Sequence, residues 1–268
     1  MTQLLHYKKV ISTDPDVLAF AEIFKDFKLQ YIEQSVKISP GSVSRDRAMF
    51  AFYSDKVRFS KIESILKDLK FPASSMYEIE KYYYKSIDIG IAIEKSDGKI
   101  NYRIYFEHLL HELKWKEMTN NLKYSYQSIH SFKWNYSEDS LNCTAYSTVL
   151  EPNGQIALME IKNTKTTFVP ECVSNKLKAY GSTPNSPGIY LVTDSATQRK
   201  AVDLNFGLDV IYNRDLSQDL HRFSKKNLAN ILAAYDEKEI HHVSVGMGKN
   251  DEPYVTLYYL IHDPERGI

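Results

Sequence analysis

The chain has 268 residues, with 34 lysines and arginines against 34 acidic residues and a formal net charge of zero. That length builds one large domain or two small ones without disulfides or metals, and 43% apolar with 25% charged residues excludes a disordered, fibrous or collagen-like chain. The neutral balance excludes a surface that tracks nucleic acid over its whole extent, but it allows a local basic pocket.

Two cysteines, Cys143 and Cys172, make no disulfide framework. No apolar run reaches the roughly 18 residues of a bilayer span, and the N-terminal stretch lacks the order of a secretory signal. A cytoplasmic protein without membrane partners is expected. Tyrosine is abundant, 20 residues against 10 glycines. Its ring is apolar and its hydroxyl polar, so a polar, aromatic-lined cavity is a natural use for it.

In chain order, Asp16–Tyr31 reads as a helix, with Val17, Phe20, Ala21, Phe24 and Phe27 at helical spacing. Asp14 is placed to cap it and Pro15 to occupy its first turn. Strand-like runs Gln34–Ser39 and Arg45–Tyr53 flank a Pro40-Gly41 turn. Phe59–Phe71 reads as a second helix stopped by Pro72. Ser86–Glu94 alternates isoleucines with small or polar residues, turns through Ser96-Asp97-Gly98-Lys99 and returns as Ile100–Glu107. Leu109–Leu122 is a helix candidate. Ile129–Tyr136 and Leu141–Val149 form another hairpin. Gln155–Lys162 reads as a strand and Glu171–Tyr180 as a short helix. Gly188–Thr193 and Arg199–Phe206 flank a turn, Ser217–Tyr235 is helical, and Ile240–Met247 pairs with Tyr254–Ile261.

Helix and hairpin thus alternate about five times, at roughly 50-residue spacing. No low-complexity linker divides the chain, so residues 1–268 form a single α+β domain. Sequential hairpins joined by helices close into a barrel with helices outside. An open sheet with helices on one face fits the same pattern.

Familiar catalytic motifs are missing. There is no phosphate loop, no paired-cysteine metal pattern and no nucleophile elbow. Gly246-Met247-Gly248 lacks the third glycine and the helix of a dinucleotide site. His108 and His111, beside Glu107 and Glu112, have a spacing that could hold a metal, but a polar helix surface explains them as well, and no metal site is assigned. No Asp-Asp pair provides an aspartate-rich magnesium clamp.

The second strand of each hairpin carries the chemistry. Arg47, Met49, Ala51 and Tyr53 share one face, as do Asn101, Arg103 and Tyr105. Thr144 with Tyr146, and Tyr254, Thr256 and Tyr258, follow suit. Lys200 and Val202 take the matching place in the fourth hairpin. If the sheet closes, this face is the lumen, with Arg47, Arg103, Lys162 and Lys200 among tyrosines. Buried unpaired cations are costly, and an anion such as a diphosphate satisfies them. Tyrosine rings shield an allylic cation by cation–π attraction. If the sheet stays open, the same face is an ordinary solvated one.

Ile32-Glu33-Gln34-Ser35-Val36-Lys37-Ile38, followed by Arg47-Ala48-Met49-Phe50, resembles the first hairpin of the cyanobactin-type peptide prenyltransferases. Ile87–Glu94 with Lys99–Phe106 is similar to that family's second hairpin, and Thr256-Leu257-Tyr258-Tyr259 to its closing strand. The likeness covers residues 15–107 and 240–262. It implies the ABBA fold, an antiparallel barrel of about ten strands ringed by helices in repeated ααββ units. It implies Glu33 as the general base or orienter of the acceptor. Arg47 and Arg103 match diphosphate-binding positions, with Lys85, Lys162 and Lys200 as looser candidates. Tyr105, Tyr146 and Tyr258 fall to the cation shield. The implied reaction moves a dimethylallyl group from its diphosphate to a small, cyclic ribosomal peptide, with Mg²⁺ on the diphosphate oxygens. A small aromatic acceptor and a non-catalytic interaction protein are the competing readings.

Overall fold

The computed structural model describes residues 12–96, 98–108, 125–135, 138–184, 186–196, 199–224, 228, 235, 238–248 and 251–262. Its strands are β1 (Tyr31–Ser39), β2 (Ser42–Ser44), β3 (Asp46–Tyr53), β4 (Asp88–Ser96), β5 (Lys99–Glu107), β6 (Ser125–Asn135), β7 (Glu138–Val149), β8 (Gly188–Asp194), β9 (Lys200–Asn205), β10 (Ile211–Tyr212), β11 (Glu239–Met247) and β12 (Pro253–His262). The helices among the described residues are α1 (Pro15–Glu22), α2 (Phe59–Asp68), α3 (Met76–Tyr83), α4 (Gly154–Asn163), α5 (Glu171–Tyr180) and α6 (Asn213–Ser224).

Ten strands close on themselves in the order β11-β12-β1-β3-β4-β5-β6-β7-β8-β9, and β9 pairs back to β11. Every pairing around the ring is antiparallel. Closure removes the edges an open sheet would leave. It decides between the two architectures the pattern allowed.

The main apolar core lies outside the barrel, between its wall and the helices. Ile89, Ile91 and Ile93 of β4 and Ile104 and Phe106 of β5 point outward and are fully buried or nearly so. Phe24, just past α1, stacks on Phe50 of β3 at 4.8 Å between ring centroids, and Phe20 meets Phe50 edge-on at 5.8 Å. Period-two alternation then sends the polar partner of each pair into the lumen. An apolar outer face and a polar inner face are the reverse of a small barrel with a packed interior.

The N-terminus of α1 forms as the sequence predicts: Asp14 accepts from the backbone N–H of Asp16 and Val17, and Pro15 opens the helix. The helix ends at Glu22, however, and Tyr31 already belongs to β1. Helix α3 has no counterpart among the sequence expectations, although Ile79 and Tyr83, four apart, form its buried face.

Gln155–Lys162 is a helix, not a strand. Asn153 caps it through a bond from the Ile156 N–H at 3.0 Å, and Gly154, Ala157 and Ile161 form its buried face. A Cβ on Gly154 would lie 1.9 Å from the Leu177 carbonyl oxygen of α5, so only glycine permits that close crossing. The expected helix Leu109–Leu122, with His111 and Glu112, lies outside the described residues. So does most of the expected extension of α6 to Tyr235.

Candidate active site

The lumen holds two connected spaces. One is small, about 50 Å³, and strongly polar. The other is about 400 Å³ and wider. Tyr105, Tyr146, Tyr258 and Asp203 line both, so three phenol rings and one carboxyl form the collar between them.

The small end is basic. Lys37, Arg47, Arg103, Lys133 and Arg199 line it against only two carboxyls, Glu94 and Asp203. Glu94 is the hub. Its Oε1 accepts from Arg47 Nη2 at 2.9 Å and lies 4.0 Å from Arg103 Nη2, while its Oε2 accepts from Lys133 Nζ. Burial works against the Glu94 charge, yet Arg47, Lys133 and Arg103 hold its carboxyl well below the usual range. The other bonds of Arg47 and Arg103 go to neutral groups. Arg47 Nε donates to Ser35 Oγ at 3.1 Å, and Arg103 Nη1 donates to the Tyr146 hydroxyl at 3.1 Å. The Nε of Arg103 is buried without a partner. Lys37 sits 4.2 Å from the centre of the Tyr254 ring, and burial, aided by Arg199 and Arg47, lowers its ammonium to about 7. Five cations around two carboxylates are a poor structural core, but a fitting cradle for an anion.

The wide end carries Tyr31, Glu33, Glu107 and His108. Tyr31, Ala51, Gly90 and Tyr105 lie opposite one another across β1, β3, β4 and β5. The small pair in the middle leaves room for Tyr31 to reach over two strands, and its hydroxyl donates to both Glu107 carboxylate oxygens at 3.4 Å. His108, at φ 50 beyond the end of β5, places Nδ1 2.6 Å from Asp88 Oδ2. Three register shifts gather at this end, beside Glu33 on β1, at Ser128 on β6 and at His241 on β11. At Ser128 and His241 the shift turns inward a side chain that strict alternation would send outward, whereas Glu33 keeps step with Tyr31 and Lys37 along β1.

Burial pushes the Glu33 carboxyl well above its usual range, and Glu107 and Asp203 push the same way against Arg47. Burial raises Glu107 to about 7, with Asp88 adding to it, and raises Asp203 to about 6. Burial likewise keeps the Tyr105 and Tyr258 phenols protonated. The lumen is therefore polarised, with cations at one end, titratable carboxyls at the other and phenols between.

Of the residues singled out from sequence, Arg47, Arg103, Tyr105, Tyr146 and Tyr258 surround the small space, and Glu33 faces the wide one. Lys85, Lys162 and Lys200 are not brought there. Lys85 lies in the link between α3 and β4, and Lys162 is exposed on the last turn of α4. Lys200 is exposed at the start of β9, where Val202 and Leu204 face the outer core and Asp203 faces the lumen. Placing Lys200 and Val202 on the inner face thus puts the fourth hairpin one residue out of step, and such a slip exchanges inside for outside. The lumen also holds Arg199, Lys37, Lys133, Glu94 and Glu107, which the sequence pattern does not mark as site residues. Lys37 and Glu94 were legible in principle, two residues along from inward positions on their own strands.

A ten-stranded barrel with a polar lumen and an outer ring of helices is the fold of the ABBA-type prenyltransferases. AnaPT from Neosartorya fischeri superimposes with a TM-score of 0.54 at 10% identity, over 98% of this chain and 92% of that one. NotF prenyltransferase gives 0.53 at 13% identity, over 97% and 92%. No family model matches the sequence, and no curated protein matches it. Among the described residues no helix is long and apolar enough to cross a membrane.

Proposed function

We propose that this protein is a prenyltransferase that moves a prenyl group from a prenyl diphosphate to a nucleophile on a small peptide. The observation that carries the reading is the polarised lumen: a surplus of buried and half-buried cations joined, through three tyrosines, to a wider space that holds Glu33.

In this reading the diphosphate lies among Arg47, Arg103, Lys37, Lys133 and Arg199. Preorganised donors stabilise charge as it develops on the leaving oxygen. The allylic carbon passes between Tyr105, Tyr146 and Tyr258, whose rings favour a cation by their π faces and exclude water. The acceptor enters the wide end. There Glu33, whose carboxyl burial pushes well above its usual range, takes the proton the nucleophile loses. The mouth beside Glu107 supports a peptide acceptor, because the His108 side chain there is 59% exposed. The sequence resemblance around Glu33 and Arg47 points the same way.

The donor set does not fit a magnesium ion held by the protein. Glu94 is engaged by three cations, and among the described residues no cluster of three or more metal-ligating side chains occurs. Magnesium belongs in this reading only as an ion carried on the diphosphate oxygens.

The test is calorimetric titration with dimethylallyl thiolodiphosphate, followed by mass spectrometry of cyclic peptides incubated with dimethylallyl diphosphate. One-to-one micromolar binding and a mass gain of one prenyl group are expected. Absence of thiolodiphosphate binding would refute the reading.

A further inference from the structure

The two ends of the lumen differ in which charge is left over. Glu33, Glu107 and Asp203 line the wide end, and among the described residues that line it there is no lysine or arginine. Its basic groups are three histidines, and these already have structural roles. His108 Nδ1 is bonded to Asp88, His241 Nδ1 to the Gly207 carbonyl at 3.2 Å, and the His242 ring packs edge-on against Tyr258. Two carboxyl oxygens at or near this end are spare. Asp203 Oδ1, at the collar, is buried and unpartnered. Asp88, which is 4% exposed and stands behind His108 outside the lining of the space, has an unpartnered Oδ1. A buried acceptor without a donor is costly and calls for a ligand that brings one.

A phenol or an indole brings a single donor and no charge. It leaves most of these oxygens unmatched. A guanidinium brings five N–H donors in a planar fork, and an ammonium brings three. Either also supplies the positive charge that the wide end lacks.

We infer that the acceptor nucleophile is a basic nitrogen, a guanidine or primary amine of the peptide, held at the wide end by Glu33, Glu107 and Asp203. The inference rests on the prenyl-transfer reading and narrows its substrate class. The step balances without a further reactant. The bound guanidinium gives one N–H proton to the Glu33 carboxylate. The freed lone pair forms the N–C bond to the allylic carbon as the C–O bond breaks. The bonding electrons leave with the diphosphate, and the product is an N-prenyl guanidinium. A bound cation also draws the three carboxyls back to their ionised forms, so binding releases protons. The groups that face these carboxyls are Arg47 and Tyr31 beside Glu33, Tyr31, His108 and Asp88 beside Glu107, and Ser244, Arg199, Arg103 and Arg47 beside Asp203.

The experiment compares N-acetylarginine amide with N-acetylcitrulline amide, its neutral isostere, and with the tyrosine and tryptophan analogues. Each is titrated into protein saturated with dimethylallyl thiolodiphosphate, in two buffers of different ionisation enthalpy at pH 6.5, a value chosen near the raised carboxyls. The arginine probe is expected to bind at least about tenfold tighter than citrulline, with net proton release. Glu107→Gln and Asp203→Asn should each shrink that preference. With dimethylallyl diphosphate, the arginine probe alone should gain one prenyl mass. Equal affinity for arginine and citrulline, or prenylation of the tyrosine or tryptophan probe in place of arginine, would overturn the inference and leave prenyl transfer standing. Failure of the thiolodiphosphate itself to bind would overturn both.

Discussion

Replacing Arg103 by methionine separates a binding role from a structural one. The Arg103 guanidinium is 5% exposed, and its protein partners are few. One bond goes to the Tyr146 hydroxyl at 3.1 Å, Nη2 stands 4.0 Å from Glu94, and Nε has no partner. Glu94 does not depend on it, because Arg47 and Lys133 still hold both carboxylate oxygens. Methionine fills similar volume without a charge to desolvate. Exchanging a poorly matched buried charge for an apolar group is neutral or stabilising by up to a few kcal/mol, roughly 1–4. The empty protein should therefore melt at the same temperature or higher. A bound diphosphate, by contrast, loses one charge-assisted contact of about 1.5–3 kcal/mol. That is roughly a 10- to 100-fold rise in Kd for dimethylallyl thiolodiphosphate. Scanning calorimetry and titration calorimetry on the same preparations give both numbers. A variant that melts lower and binds the thiolodiphosphate as before would show that Arg103 supports the fold and not the donor, and would refute the reasoning.

Glu33→Gln should reduce kcat by about 10²-fold or more while donor affinity stays within a factor of two, as expected for a base that acts on the acceptor; equal losses in both would remove it from that role. Lys85→Ala, Lys162→Ala and Lys200→Ala should each change donor Kd by less than about twofold, since exposed substitutions away from a site act within roughly 0.5 kcal/mol. At pH 8, donor binding should take up a proton because Lys37, lowered to about 7, is largely neutral in the empty chamber; Lys37→Met should abolish the uptake seen by calorimetry in paired buffers. Glu107 and Asp203 have folded values raised to about 7 and about 6, so their contribution to stability is full below their ordinary values of 4.5 and 3.8 and is lost as pH rises through the raised ones. The gain in melting temperature from the Glu107→Gln, Asp203→Asn double variant should accordingly be larger at pH 8 than at pH 4, and a gain independent of pH would contradict the assigned burial. Phe50→Ala should cost about 3–5 kcal/mol by chemical denaturation, whereas Tyr105→Phe should cost under about 1 kcal/mol, if the main apolar core lies outside the barrel.

The alternation of isoleucines along 86–94, and of Arg103 with Tyr105, is a property of neighbouring residues. Period two follows from the pleat of any strand, so the hairpins and the sharing of a face by Tyr254, Thr256 and Tyr258 were legible without a structure. The cap at Asp14 was legible for the same reason, because its partners are two and three residues away. The motif around Glu33 carried the expected fold. Where the local signal was short, it failed. Gln155–Lys162 offers strand-like alternation and helical spacing alike, and its crossing with α5 at Gly154 settled the matter.

Three things required the closed barrel. Whether the Arg and Tyr faces look inward or toward solvent depends on the pairing of β9 with β11, between segments far apart in the chain. Which face of β9 enters the lumen depends on Val202 and Leu204 finding the outer core, and this put Asp203 in place of Lys200. The gathering of Lys37, Arg47, Arg103, Lys133 and Arg199 at one end, and of Glu33, Glu107 and Asp203 at the other, depends on the register of strands that meet only after closure. Local periodicity determines the side of a strand a residue occupies. Only long-range pairing determines what that side encloses, because burial and charge pairing are properties of the space between strands and not of any one of them.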